Sequence, residues 1–190
     1  MWTIEELKNK AKQNLTKNYW SIFVVILLSA AASSLSIPFG VILLAYPIEV
    51  GMKKYILNSI NDRHEFEDLW FAFKFNYLNT LLVQFLRYLF IMLWSFLFLI
   101  PGIIKSYEYK MIPYILAEDP NISIEEANNK SSDLTMGHKM DMFILDLSFI
   151  GWILIGSLCV IGIFFVNPYI EATNAELYLK LKENTPEIIY

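Results

Sequence analysis

Three long stretches of the chain contain no charged residue, and they alternate with segments that mix apolar and charged positions. The uncharged stretches span residues 18–48, 88–104 and 147–170. About 20 helical residues cross a hydrocarbon core of about 30 Å, so uncharged apolar runs of this length are typical of transmembrane helices. The pattern predicts an all-α fold, a polytopic bundle of transmembrane helices.

Glycine and proline interrupt each uncharged stretch, at Pro38 and Gly40, at Pro101 and Gly102, and at Gly156 and Gly162. The stretch 18–48 would be about 46 Å long as one helix, which is too long for one untilted span and too short for two. We therefore expect three helical hairpins, six spans in all, with turns near residues 37–40, 100–102 and 158–163. The return arms must extend into charged sequence.

Three similar helix starts precede these stretches. Thr3 and Ser123 are each followed three residues later by glutamate, which is the spacing of a capping box, whereas Glu65 is a poorer cap. Prolines recur at a similar interval after each start, at Pro47, Pro113 and Pro168. We interpret the chain as a single membrane domain, residues 1–190, with a weak threefold repeat over 3–60, 65–120 and 123–180.

Each helix start opens a segment with apolar residues three and four positions apart, the spacing that places them on one helix face. These amphipathic helices either lie on the membrane surface or pack beneath the bundle. The apolar faces are Ile4, Leu7, Ala11 and Leu15 in the first copy, Phe66, Leu69, Trp70, Phe73 and Tyr77 in the second, and Ile124, Ala127, Ser131 and Leu134 in the third.

Lysine and arginine lie on one side of this arrangement. They precede the first hairpin, connect the hairpins and follow the last, and the predicted turns carry none. Because cytoplasmic loops are enriched in Lys and Arg, both termini are expected in the cytoplasm of a multi-pass cell-membrane protein. The stretch 19–36 is interpreted as a retained first span rather than a cleaved signal peptide, since its apolar run is long and a long polar segment precedes it.

The composition agrees with a membrane location and reduces the classes of function to consider. The chain is 56% apolar and 18% charged, against about 45–50% and about 25% in soluble domains. Its net charge is −4 without a block of basic residues, so no nucleic-acid partner is expected. The single cysteine, Cys159, excludes an internal disulfide and a cysteine metal cluster, and is expected to be a small packing residue.

Several short segments resemble a known family. They are Pro101–Tyr107, Met111–Ala117, Gly137–Lys139, Asp146–Trp152 and Pro168–Thr173. Together they are similar to the bacterial integral membrane protein family of unknown function DUF975, found mainly in Gram-positive bacteria. The resemblance is densest from Pro101 to Tyr178. It implies a cell-membrane location and supplies no activity, substrate or catalytic residue.

Ionisable residues inside the predicted spans are the candidate functional residues, since charges are costly in the hydrocarbon core. They are Glu49, Arg87, Lys105, Glu108, Asp146 and Glu171. Lys105 and Glu108 are spaced to pair on one helix face, and Arg87 and Asp146 could neutralise one another or these residues. The six either form a polar network that holds the bundle together, line a path for an ion, solute or lipid head group, or reach the interface.

The return arm 103–117 carries three charges. It either spans the bilayer, and is then tilted, kinked at Pro113 or buried against other helices, or it lies on the membrane surface. No catalytic motif, cofactor site or metal site is expected. His138, which lies near Asp141 in the sequence, is a weak candidate for a metal or proton site.

The function expected from the sequence is therefore non-enzymatic. We expect engagement of a membrane lipid or a membrane-protein partner, with a homo-oligomer included, through the cytoplasmic amphipathic helices and the polar interior. The alternative is a small transporter or channel for an ion, solute or lipid.

Overall fold

A computed structural model of the chain describes residues 2–34, 40–97, 99–158 and 162–185, and the secondary structure of these residues is helical without a strand. The predicted all-α class is confirmed. The elements in chain order are α1 (Ile4–Ser34), α2 (Gly40–Ile60), a 3-10 helix (Phe66–Trp70), α3 (Phe71–Lys74), α4 (Tyr77–Leu97), α5 (Leu99–Glu108), α6 (Ile112–Glu118), α7 (Ile124–Thr135), α8 (Lys139–Leu147), α9 (Ile150–Leu158) and α10 (Gly162–Asn184).

The helix starts follow from the capping chemistry of the sequence. Ser123 Oγ accepts a hydrogen bond from the Glu126 amide at 3.1 Å, and the Glu126 carboxylate accepts one from the Ser123 amide at 3.2 Å. Thr3 caps α1 through the Glu6 amide at 3.1 Å. Glu65 makes no side-chain cap, and a short 3-10 helix follows it. The threefold repeat itself stays a prediction.

Among α-helices adjacent in the chain, α1 with α2, α4 with α5, and α9 with α10 pack together most extensively. Two of these pairs depend on glycine, because backbones approach closely there. A Cβ on Gly102 would lie 2.2 Å from Ser95 Oγ, and one on Gly162 would lie 2.5 Å from the Gly156 carbonyl oxygen. Small residues permit such close helix packing in membranes.

The turn predicted near 100–102 was placed a few residues too late in the chain. Pro101 and Gly102 both lie within α5, which begins at Leu99, and α4 ends at Leu97. Proline is tolerated in the first helical turn because its missing N–H has no partner there. Gly102 lies instead where α5 contacts α4. The other two predicted turns, with Pro38 and Cys159, lie mostly outside the described residues, although Gly40 opens α2 and Gly162 opens α10.

The charged return arm is two helices rather than one. Helix α5 ends at Glu108, the chain turns, and α6 begins at Ile112 with Pro113 in its first turn. Residues 112–117 are all buried, and α6 packs against α2, α4 and α7. The α6 part of this arm is therefore buried against other helices, which was one of the expected alternatives, whereas Ile103 and Ile104 of α5 are exposed. Pro47 and Pro168, in contrast, lie inside the uninterrupted helices α2 and α10.

Two of the three amphipathic segments bury residues of their apolar faces. Leu7, Ala11 and Leu15 of α1 are buried, as are Ala127 and Leu134 of α7. The second segment differs, because its Phe66 and Trp70 side chains are exposed. The apolar faces of the first and third segments are thus packed against other helices, and the second segment presents aromatic rings at the protein surface.

One helix of the described residues, Tyr77–Phe96, is long and apolar enough by itself to cross a membrane. Most of its residues are not buried by the rest of the protein. A shorter apolar helical segment spans Asn18–Ala31. These segments are consistent with membrane association, and six spans remain a prediction.

Candidate functional site

All six predicted residues form ion pairs, and they do so in four groups rather than one network. In the first group, Glu49 of α2 faces α4. The Glu49 carboxylate accepts hydrogen bonds from Arg87 Nη1 at 3.3 Å, Gln84 Nε2 at 3.3 Å and the Tyr88 hydroxyl at 3.2 Å. Arg87 also donates to Gln84 Oε1 at 3.0 Å. This group joins α2 to α4.

The second group joins α2 to α10. Glu171 accepts a hydrogen bond from Lys53, which lies one helical turn after Glu49. The Lys53 ammonium lies 5.0 Å from the centre of the Tyr114 ring on α6. Only 10% of the Lys53 side chain is exposed. Three helices therefore surround one buried ammonium group.

The third group contains two cations and one carboxylate. Glu108 accepts hydrogen bonds from Lys105 at 2.5 Å and from Lys139 at 2.6 Å. Ser131 Oγ donates to the Glu108 backbone carbonyl at 2.6 Å. The predicted pairing of Lys105 with Glu108 is present, and Lys139 links it to α8. The end of α5 is thereby held by α7 and α8.

The fourth group lies between α8 and the turn that follows α5. Asp146 accepts hydrogen bonds from Lys110 Nζ at 2.8 and 2.9 Å and from the Tyr107 hydroxyl at 3.0 Å. Arg87 and Asp146 do not neutralise one another or the pair of Lys105 and Glu108, as the sequence suggested. Arg87 pairs with Glu49 and Asp146 pairs with Lys110. Apart from Lys105 with Glu108, each of these pairs joins residues that are more than 30 positions apart in the chain.

Sequence reasoning missed the partners rather than the charges. Lys53, Lys110 and Lys139 were assigned to the loop side or to the return arm, not to pairs with the candidate carboxylates. The four-residue spacing of Glu49 and Lys53 places both on one face of α2, which could have drawn attention to Lys53 but would not have identified Glu171 as its partner. The partners on α4, α8 and α10 are distant in sequence and have no such signal.

A polar cavity of about 490 Å³ lies beside the third group. Lys105 and Glu108 line it together with Asn128, Asn129 and Ser132 of α7, and Leu86 and Phe90 of α4 close it. The cavity is large enough for a small solute, since ligand sites occupy about 300–1,000 Å³.

A second cavity, of about 560 Å³, is almost wholly apolar and lies between α1, α9 and α10. Its lining residues are Lys12, Leu15, Thr16, Tyr19, Trp152, Phe165, Val166 and Tyr169. Among the described residues of this lining, Lys12 contributes the one charged group. None of these residues was among the predicted site residues.

His138 and Asp141, the weak candidate for a metal site, have their side chains close to each other. His138 Nδ1 lies 3.6 Å from an Asp141 carboxylate oxygen. In the part of the chain that the structure describes, no group of three or more His, Cys, Asp or Glu residues is placed to hold a metal ion.

The comparison with protein families returns one match, to the family described as "Protein of unknown function (DUF975)", over residues 97–185. No curated protein matches the chain. No solved structure matches it either. The matched segment runs from the end of α4 to the end of α10 and contains every segment on which the resemblance was based. Residues 97–185 therefore match the model of the DUF975 family of unknown function, the family that the segments of the sequence resemble.

Proposed function

We propose that the protein is a non-enzymatic, multi-pass membrane protein of six spans, arranged as three hairpins with both termini in the cytoplasm. It engages membrane lipid, or a partner protein, through its cytoplasmic helices and the side chains between its spans. The observation that supports this most is the exposure of large apolar side chains along the uncharged parts of the helices.

Helix α4 is the clearest example of this exposure. Its exposed apolar residues recur along the helix, and Phe96 is 91% exposed. Helices α1 and α9 show the same pattern. Soluble monomers rarely expose contiguous apolar patches beyond a few hundred Å², so a lipid environment accounts for these side chains. The residues are Trp20, Leu27 and Leu28 of α1, Leu78, Leu82, Phe85, Met92, Leu93 and Phe96 of α4, and Trp152, Leu154 and Ile155 of α9.

The positions of the ion pairs fit the same arrangement. Glu49 lies nine residues after the start of α2, Arg87 ten residues before the end of α4, and Glu171 nine residues after the start of α10. Each is therefore about 14–15 Å along its helix from that end. In a hydrocarbon core of about 30 Å these residues would lie near the middle. Isolated charges there cost at least about 2.5–3.5 kcal/mol each, so pairing across helices is required for insertion. This supports a role in holding the bundle together.

Extraction of membranes tests the location. The protein should remain with the membrane pellet after washing with alkaline carbonate and leave it only in detergent. Release by carbonate would overturn the proposal, because a peripheral protein is released under those conditions. A soluble enzyme expressed in the same cells provides the control.

Transport of a small solute is the second candidate function, and the polar cavity beside Glu108 favours it. In proteoliposomes, transport through this cavity would be lost when Asn128→Leu fills it with apolar surface. Replacement of Glu67, which pairs with Lys74 at the exposed surface, should leave transport unchanged and serves as the control. Equal fluxes through both variants would exclude this route.

A further inference from the structure

We infer that the apolar cavity between α1, α9 and α10 binds an anionic phospholipid, with one acyl chain in the cavity and the phosphate between Lys8 and Lys12. This inference rests on the proposed membrane location and adds a lipid class and a site to it. It is carried by two cations without a carboxylate contact among the described residues. Lys12 lines the apolar cavity, and Lys8 lies one helical turn before it on α1.

The two cations differ from those of the four ion-paired groups. Arg87, Lys53 and Lys105 each contact a carboxylate. Within the described residues, Lys8 and Lys12 contact a backbone carbonyl and aromatic rings but no carboxylate. Lys8 Nζ donates to the Ser148 carbonyl at 3.3 Å and lies 4.4 Å from the centre of the Phe149 ring. Lys12 Nζ lies 5.9 Å from the centre of the Tyr169 ring.

The spacing of these lysines favours an anion between them. Residues four apart lie on the same helix face, and like charges at this spacing repel. The Lys12 ammonium acts on Lys8 in this unfavourable sense. A phosphate that accepts hydrogen bonds from both ammonium groups would remove the repulsion and form charge-assisted hydrogen bonds. Charge complementarity therefore selects an anionic head group.

The groove has the polarity of a phospholipid. From Lys12 to Tyr19 the axis of α1 rises about 10 Å, from the charged half of the helix into the uncharged half. Leu15, Thr16 and Tyr19 line this length on one side, and Trp152 and Phe165 line the other. Trp152 and Phe165 are half exposed, so the groove is accessible from the surrounding lipid. The head group and the chain would each meet matching protein surface.

The groove volume fits one chain rather than a folded partner. About 560 Å³ is within the range of small-molecule sites. Protein interfaces bury far larger areas, about 1,200–2,000 Å² in total. A lipid chain is therefore the occupant that fits this cavity.

Native mass spectrometry of the full-length protein, released from nanodiscs, tests the site. Nanodiscs made of equal parts phosphatidylglycerol and phosphatidylcholine supply both head groups. We expect one retained phosphatidylglycerol per chain in the wild type. Lys12→Gln should weaken its retention by about tenfold, the factor expected for one lost charge-assisted contact. Lys10→Gln removes the same charge from a lysine that pairs with Glu6, and should have no effect.

Thr16→Phe tests the acyl chain separately, because it fills the groove without changing charge. It should abolish retention of phosphatidylglycerol, and the unchanged melting temperature of the variant in pure phosphatidylcholine would show that it folds. Equal retention of both lipids by the wild type, or full retention by Lys12→Gln or Thr16→Phe, would overturn the lipid site. The membrane location would stand in each of those cases, since it fails only if carbonate releases the protein.

Discussion

The ion pair between Lys53 and Glu171 gives the sharpest test of how the bundle is held together. Lys53 of α2 and Glu171 of α10 are both largely buried, with 10% and 20% of their side chains exposed. Replacing one partner leaves the other as an uncompensated charge. Removing one member of a buried pair costs about 3–5 kcal/mol, and placing a lone charge in the hydrocarbon core costs at least about 2.5–3.5 kcal/mol. Lys53→Met should therefore destabilise the protein by roughly 3 kcal/mol or more.

The two single substitutions should differ. Without Lys53, Glu171 has no second cation among the contacts of the described residues. Without Glu171, Lys53 keeps the Tyr114 ring at 5.0 Å and Glu49 one turn away on the same helix face. Glu171→Gln should therefore cost less than Lys53→Met. The double variant, which contains no lone charge, should be more stable than Lys53→Met alone.

Unfolding in mixed micelles measures these free energies as a double-mutant cycle. Increasing the fraction of denaturing detergent while following helix content gives the free energy of unfolding of each variant. Lys74→Met is the matched control, because its pair with Glu67 is exposed and contributes little. Additive effects of the two interior substitutions would refute the reasoning, since additivity means that the pair does not interact.

The remaining predictions concern helix contacts and caps. Gly162→Ala should destabilise the third hairpin, because its Cβ would lie 2.5 Å from the Gly156 carbonyl oxygen. Gly151→Ala is the control, because no atom lies within 4 Å of the added Cβ, and it should be neutral or stabilise the protein by up to about 1 kcal/mol. The same detergent titration measures both, and equal effects would contradict the close approach. Ser123→Ala should cost about 1 kcal/mol by removing the cap of α7, and Ser123→Thr should recover most of it. Equal loss in the alanine and threonine variants would show that the cap does not stabilise α7.

The sequence predicted those features that local chemistry determines. Capping boxes are local, so Thr3 and Ser123 located the starts of α1 and α7 correctly. Charges in apolar runs are visible in sequence, and each of the six was found in an ion pair. The helical class followed from the length and apolar character of the uncharged stretches.

Features that depend on contacts between distant segments were not predictable. Pro101 and Gly102 were interpreted as a turn because both residues favour turns, yet proline is also tolerated in a first helical turn, and Gly102 is needed for contact with Ser95. The pairing of Arg87 with Glu49 depends on how α2 and α4 pack. The apolar groove has no sequence motif, because three helices contribute to it.

Labelling of single cysteines tests the three-hairpin arrangement most directly. Gly102 and Gly162 leave no room for a side chain, so neither is suitable for replacement by cysteine. For the second hairpin the cysteine is placed at Ile100, which is 71% exposed near the start of α5. The native Cys159 lies between α9 and α10 in the sequence and reports on the third. Exposed Glu65, between α2 and the 3-10 helix, is the control for the cytoplasmic side.

In intact cells, a membrane-impermeant maleimide should label the wild-type protein at Cys159. It should also label Ile100→Cys in a Cys159→Ser background, and it should label Glu65→Cys in that background only after the cells are opened. Protection of Ile100→Cys in intact cells, with labelling after opening, would contradict the six-span arrangement.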